Sequence, residues 1–183
     1  SIPEPALAGP ARLCLDPDEG ATATLEGGGE PDIDSYFWTI TRDDGTVILD
    51  NFGGPGDQFQ TLDQVFTEPG LYTVNLNVTR CATPDYYDAS LEIQVDAPPT
   101  LTLEADSTLC SGNPVTLTAI DGYDPADGTY DFLWTNAAGQ VFGDENSNSI
   151  TVDEESIYTV EVSFRVPDGL STEEAALFET CPA

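Results

Sequence analysis

Carboxylates dominate the chemistry open to this 183-residue chain: 34 Asp and Glu stand against four Arg, with no Lys and no His. In one stretch, "DGYDPADGTYD", four of them (Asp121, Asp124, Asp127 and Asp131) fall within eleven residues that also hold the turn formers Gly and Pro. Hard oxygen donors on a loop are the ligands Ca²⁺ takes, so these four are the candidate calcium site, and calcium is the one cofactor the sequence suggests. The spacing is not that of an EF-hand, because the Asp-x-Asp-Gly core and the closing Glu are missing. The competing reading is a solvated acidic loop in a chain that is acidic throughout.

Other chemistry finds no footing. Without His, a Ser-His-Asp or Cys-His arrangement cannot form, and without Lys there is no Schiff-base nucleophile. The Gly-rich stretches "GGGEPD" and "FGGPGD" lack the Lys and the following helix that a phosphate loop needs. A carboxylate pair could hydrolyse glycosides, but among 34 acids no pair stands out. The sequence reads as a non-enzyme.

The formal net charge is −30. Nucleic acids and anionic membrane surfaces are bound through clustered Lys and Arg, so both are excluded as partners. Two readings of the acidity compete: a surface adapted to high salt, or one that collects divalent cations. The complete lack of Lys favours the halophilic one. No apolar run of about 18 residues is present, so no membrane insertion is expected. The absence of any Met or signal peptide predicts a mature or excised segment of an exported protein. Cys14, Cys81, Cys110 and Cys181 show no Cys-x-x-Cys spacing and have no His to complete a zinc site. They are read as two disulfides, which places the chain outside the cytoplasm in an oxidising compartment.

These residues must be positioned by a scaffold, and the scaffold repeats. Cys14 precedes Trp38 by 24 residues, and Cys110 precedes Trp134 by 24; the tryptophans sit in "YFWT" and "FLWT". "GLYTVNLNV" in the first half is echoed by "SIYTVEVSF" in the second. Tyr72 precedes the Ala of "ASLEIQV" by 17 residues, as Tyr158 precedes the Ala of "AALFETC". Matched landmarks point to a tandem duplication split at "APPT", with one domain over residues 1–97 and another over 98–183. The copies differ mainly between Trp and Tyr, 34 residues against 24, the excess including "NFGGPGDQFQ".

Each copy reads as all-β. Tyr72, Val74, Leu76 and Val78 alternate with Thr73, Asn75, Asn77 and Thr79, the period of two expected of a strand with one buried face. Tyr158, Val160, Val162 and Phe164 repeat it. Leu101 and Leu103 read as an early strand of the second copy, and "STEEAALFE" as a loop leading into its last strand. Turn formers in "RDDGT", "EPG", "DPADG" and "VPDG" punctuate the runs. The fold class is two tandem antiparallel β-sandwiches of about seven strands each, with Trp38, Tyr72, Trp134 and Tyr158 as core signature residues. Each tyrosine fits the corner arrangement in which a core ring returns its hydroxyl to the backbone.

The run "VFTEPGLYTVNLNV", with "VDEESIYTVEVSF" as a looser copy, resembles the PKD domain and related bacterial Ig-like repeats of large cell-surface proteins. The Trp-Asp-Phe-Gly-Asp-Gly that usually follows the family's tryptophan is replaced by "WTITRDDG" and "WTNAAG". The resemblance implies spacers, adhesive repeats or accessory modules rather than catalysts.

Within such modules Cys14–Cys81 is expected to clip one end of the first sandwich and Cys110–Cys181 to tie an early strand of the second to its last. Each would close a loop of about 70 residues. The leading functional expectation is an extracellular, non-catalytic stalk or adhesin repeat at the cell surface. Its partners would be other copies of itself, neighbouring repeats, or a surface glycan or protein. Two alternatives stand beside it: a subunit of an extracellular filament assembled through strand edges, and a carbohydrate-binding accessory module of a secreted hydrolase using an exposed aromatic strip.

Overall fold

The computed structural model describes residues 4–80, 86–103 and 113–183. It divides into two compact units, the first of residues 1–97 with 170–179 and the second of residues 98–169 with 180–183. The sequence expectation had run the second domain unbroken from 98 to 183; the structure gives residues 170–179 to the first unit instead.

The first unit carries β1 (Pro5–Ala8), β2 (Arg12–Cys14), β3 (Ala21–Gly28), β4 (Asp34–Arg42), β5 (Val47–Pro55), β6 (Thr61–Phe66), β7 (Gly70–Arg80) and β8 (Tyr86–Asp96). They form a three-stranded sheet, β1-β3-β6, and a five-stranded sheet, β2-β8-β7-β4-β5. Alternation decides the inner faces. Tyr72, Val74, Leu76 and Val78 of β7 are buried, as are Tyr36, Trp38 and Ile40 of β4 and Ile93 and Val95 of β8. They pack against Ala21, Ala23, Leu25, Leu62 and Phe66 of the opposite sheet in one core. This is a sandwich, because each sheet has a single apolar face and buries it on the other.

The Gly-rich excess of the first copy has a structural reason. It forms the second half of β5, where Gly53 lies opposite Phe37 at φ 155°, and a Cβ there would stand 1.8 Å from the Tyr36 carbonyl oxygen. Only glycine lets β5 run this close to β4.

The second unit is smaller: β9 (Val115–Thr118), β10 (Tyr130–Asn136), β11 (Val141–Phe142), β12 (Ser149–Val152) and β13 (Tyr158–Phe164). A three-stranded sheet, β11-β10-β13, faces a two-stranded one, β12-β9. Phe132, Trp134, Val160 and Val162 from the first meet Ile150 and Val152 from the second, with Ala119 between. About seven strands per copy were expected; eight and five are seen among the described residues. Leu101 and Leu103 lie outside any strand, although Thr102 N–H donates to the Ala119 carbonyl at 3.0 Å.

The two copies also differ in register. Trp38 lies opposite Leu76, four residues after Tyr72, whereas Trp134 lies opposite Val160, two residues after Tyr158. A slip of two leaves every side chain on its original face, so both cores survive it; a slip of one would turn the apolar set outward.

The expected last strand of the second copy is displaced. Residues 172–175 form a short helix, α1 (Thr172–Ala175), held by a capping box in which Ser171 Oγ accepts from Glu174 N–H and Glu174 accepts from Ser171 N–H. The Leu177 carbonyl then accepts from Ala11 and Arg12 N–H at 2.8 and 3.0 Å, and Glu179 N–H donates to the Arg12 carbonyl, continuing the five-stranded sheet beyond β2. Only afterwards does the chain pair with β13, through the Phe164 N–H donating to the Thr180 carbonyl and two hydrogen bonds between Val162 and Ala183. In the first unit Leu76, the equivalent of Val162 in the alignment, faces Ala89. Sequence offset predicts Ala175 as the partner of Val162, and the observed Ala183 lies eight residues further on, so residues 171–178 act as an insertion.

Candidate interaction surface

The acidic stretch at 121–131 does not assemble into one site. Asp124 accepts the Ala126 N–H at 2.9 Å and caps a single 3-10 turn, while Asp131 Oδ1 accepts from Arg165 Nε at 2.7 Å. Asp121 and Asp127 are exposed. Among the described residues no three acids, cysteines or histidines are grouped to hold a metal, so the candidate calcium ligands are separate turn and surface residues.

The aromatic residues singled out in the sequence lie in the framework. Trp38 and Trp134 are 0% and 1% exposed, and each indole N–H donates to a loop carbonyl at 2.7 Å, Phe59 in one unit and Ser147 in the other. Tyr72 Oη donates to the Glu68 carbonyl at 2.8 Å and Tyr158 Oη to the Glu154 carbonyl at 3.0 Å, four residues back in both cases. Neither indole offers a flat face to a sugar.

The cysteine pairing differs from the expected one. Cys14 is bonded to Cys181. With "AALFETC" as the last strand of the second copy, Cys181 would lie beside Cys110; the insertion at 171–178 removes that premise. Cys81 and Cys110 lie outside the described residues.

Every arginine is engaged. Arg12 lies 3.5 Å from Asp96 and stacks over Phe178, Arg42 joins Asp44 and Glu68, and Arg165 joins Asp131. Arg80, at the end of β7 and opposite Asp34 in the ladder, is the one with no distinguishing motif around it. Its Nε and Nη2 donate to Asp34 Oδ1 and Oδ2 at 2.7 and 3.0 Å, and Glu30 stands 3.1 Å from Nη2. Asp34 and Arg80 are both buried, and Glu30 N–H also donates to Asp34. The guanidinium hydrogen bonds hold the Asp34 carboxyl below its ordinary pKa against the opposing cost of burial, and the Glu30 amide adds to that; Asp34 in turn raises Arg80. The only signal for this pair in the sequence was an Arg and an Asp at the ends of two alternating runs, and their meeting depends on register.

Part of the exposed apolar surface lies at sheet edges. β5 has β4 on one side and no described strand on the other, and it exposes Val47, Ile48 and Phe52; Phe52 meets Phe59 edge-on at 5.7 Å. In the second unit β11 is an edge, with Val141 exposed beside an open recess of about 320 Å³ whose walls include Leu133, Asp144, Glu145 and Glu161. A 460 Å³ recess in the first unit lies against Asp32, Ile33, Pro55 and Asp57. Each is lined by apolar residues together with carboxylates.

These strands and cores define the class: a nearly all-β chain of two sandwich modules, antiparallel in every strand pair but β2 on β8 among the described residues. No protein-family model matches the sequence, and no curated protein matches it. Among solved structures the chain is similar to the FN1–FN3 domains of chicken CNTN1, at 10% identity and a TM-score of 0.36. It is similar also to the fibronectin(III)-like modules of Clostridium thermocellum CbhA, at 13% and 0.42, and to the BSP domain of a biofilm associated protein, at 10% and 0.27. It covers 90%, 88% and 93% of its own length in these matches, and spans 60%, 86% and 27% of the three chains respectively.

Proposed function

We propose that the chain is an extracellular, non-catalytic pair of sandwich modules that serves as a stalk or adhesive repeat of a cell-surface protein, of the PKD-like kind that "VFTEPGLYTVNLNV" resembles. One observation carries this reading: in both units the Trp and Tyr side chains best suited to bind a ligand are spent on the same backbone hydrogen bonds. Residues conserved between the copies therefore build the module, and adhesion falls to the edges and loops that differ. The Cys14–Cys181 bond suits an oxidising location, and the surface of −30 suits high salt. Protease shaving of intact cells from the native source tests the placement: peptides of this chain are expected in the released fraction, and their absence overturns it.

A second reading, a filament subunit, is favoured by the edge strand β5 with its exposed Val47 and Phe52, since an open edge is where another chain adds a strand. Electron microscopy separates the two. Uniform filaments built of this chain alone would replace the stalk reading.

A further inference from the structure

We infer that the Cys14–Cys181 bond makes the chain a load-bypassing link: tension that enters before Cys14 and leaves after Cys181 runs through the disulfide, and residues 15–180 carry none of it. The inference follows from connectivity. Apart from Leu13, and Leu7 packed against it, both sandwich cores lie inside the covalent loop. Of the described strands, β1 and β2 lie on the load path.

The elements on that path are built to be peeled or held locally. β1 pairs antiparallel with β3 through an irregular register, Pro5 with Gly28 and Ala8 with Glu26. β2 runs parallel to β8 and is flanked by the Gln94 to Ala11 and Leu15 to Asp96 backbone bonds, both 2.8 Å. On its other side it takes Leu177 and Glu179, and the Cys14 N–H donates to the Glu179 carboxylate at 2.7 Å. Pulling therefore strips β1, then strains the strand that ends at Cys14, and stops there.

A sandwich loaded through its own strands would instead unfold under force and lengthen by the whole contour of its chain. The bypass turns two extensible modules into a spacer of nearly fixed length, and it does so only while the bond is oxidised. A dithiol reductant supplies two electrons and two protons, leaving two thiols, becoming a disulfide itself, and opening the loop. The biological use of such a spacer rests on the stalk reading; its mechanics do not.

The test is an optical-trap measurement on the full chain, with handles joined to both ends through cysteine-free tags. The oxidised protein is expected to lengthen by no more than about 50 Å, the reach of the residues outside the loop. With dithiothreitol, steps summing to on the order of 500 Å are expected as the units unfold. Cys14→Ser should show the long steps without reductant, and Cys181→Ser should do the same should the first variant fold poorly. Long steps in oxidised protein overturn the proposal. So does peptide mapping under non-reducing conditions that finds Cys14 joined to another residue. A stalk refuted by microscopy would leave the trap result standing, so the two failures can be told apart.

Discussion

The two units share the same aromatic signature but anchor it differently. In the first, Asp34 and Arg80 face each other across the β4–β7 ladder, with side chains 0% and 8% exposed. In the second, Asp131 and Arg165 make a bond of the same 2.7 Å length, but Asp131 lies opposite Ser163, the pair is diagonal, and the side chains are 38% and 25% exposed. The two-residue slip explains the difference, since it places Tyr130 and Phe164 opposite each other near the end of the second ladder, where their rings pack at 5.1 Å. Equal distance does not mean equal energy. The buried pair has given up its hydration and depends on its partner, while the exposed one trades water for an ion at little net gain.

The largest break in this comparison is Arg80→Ala. Removing one member of a buried pair leaves an uncompensated carboxylate, so the first unit should lose about 3–5 kcal/mol at neutral pH. Chemical denaturation followed by Trp38 fluorescence in a Trp134→Phe background measures it, each unit having a single tryptophan. A loss no larger than that of Arg165→Ala in the second unit would erase the distinction.

Acid should act next. The folded pKa of Asp34 is lowered by Arg80 and the Glu30 amide, so its contribution is complete above the ordinary carboxylate value of about 3.9 and is lost as pH falls through the lower folded one. Stability of the first unit is expected to fall in that acid window. Replacing both partners by apolar residues (Asp34→Leu with Arg80→Met) should flatten this part of the profile, and an unchanged profile would assign the acid loss elsewhere.

Smaller effects sharpen the picture. Tyr72→Phe removes a hydrogen bond from a ring that is 2% exposed and should cost about 1 kcal/mol, whereas Tyr158→Phe, whose ring is half-buried, should cost less. Arg165→Ala should stay within about 1 kcal/mol. Calcium should do least: with Asp124 and Asp131 committed to a cap and an ion pair, a chelator at fixed ionic strength is expected to leave the melting midpoint unchanged. A downward shift would restore the site at 121–131.

The inner faces were readable in advance because alternation is a local property. Tyr72 to Val78 declare their burial by spacing alone, and the tryptophans do so by recurring at the same offset. What escaped was set by register and by long-range pairing. Asp34 meets Arg80 only because β4 and β7 align as they do, and no residue near either announces it. "AALFETC" resembles "ASLEIQV" closely enough to pass as a last strand, yet the Ser171 capping box and the exposure of Leu177 mark it as something else. The disulfide followed the same error, since Cys181 was placed by counting from a strand that is not there. The calcium expectation rests on residue type, which does not disclose that Asp131 meets Arg165 or that Asp124 caps a turn.

Residues 170–179 also set an order of events. The edge of β2 is covered by Leu177 and Glu179, which are made some 160 positions after it. As the chain emerges from the ribosome or a secretion pore, the first unit appears first but is completed last, after nearly all of the second has been delivered. Until then its β2 edge stays open to any passing strand, and the finished molecule is sealed only when its tail comes home.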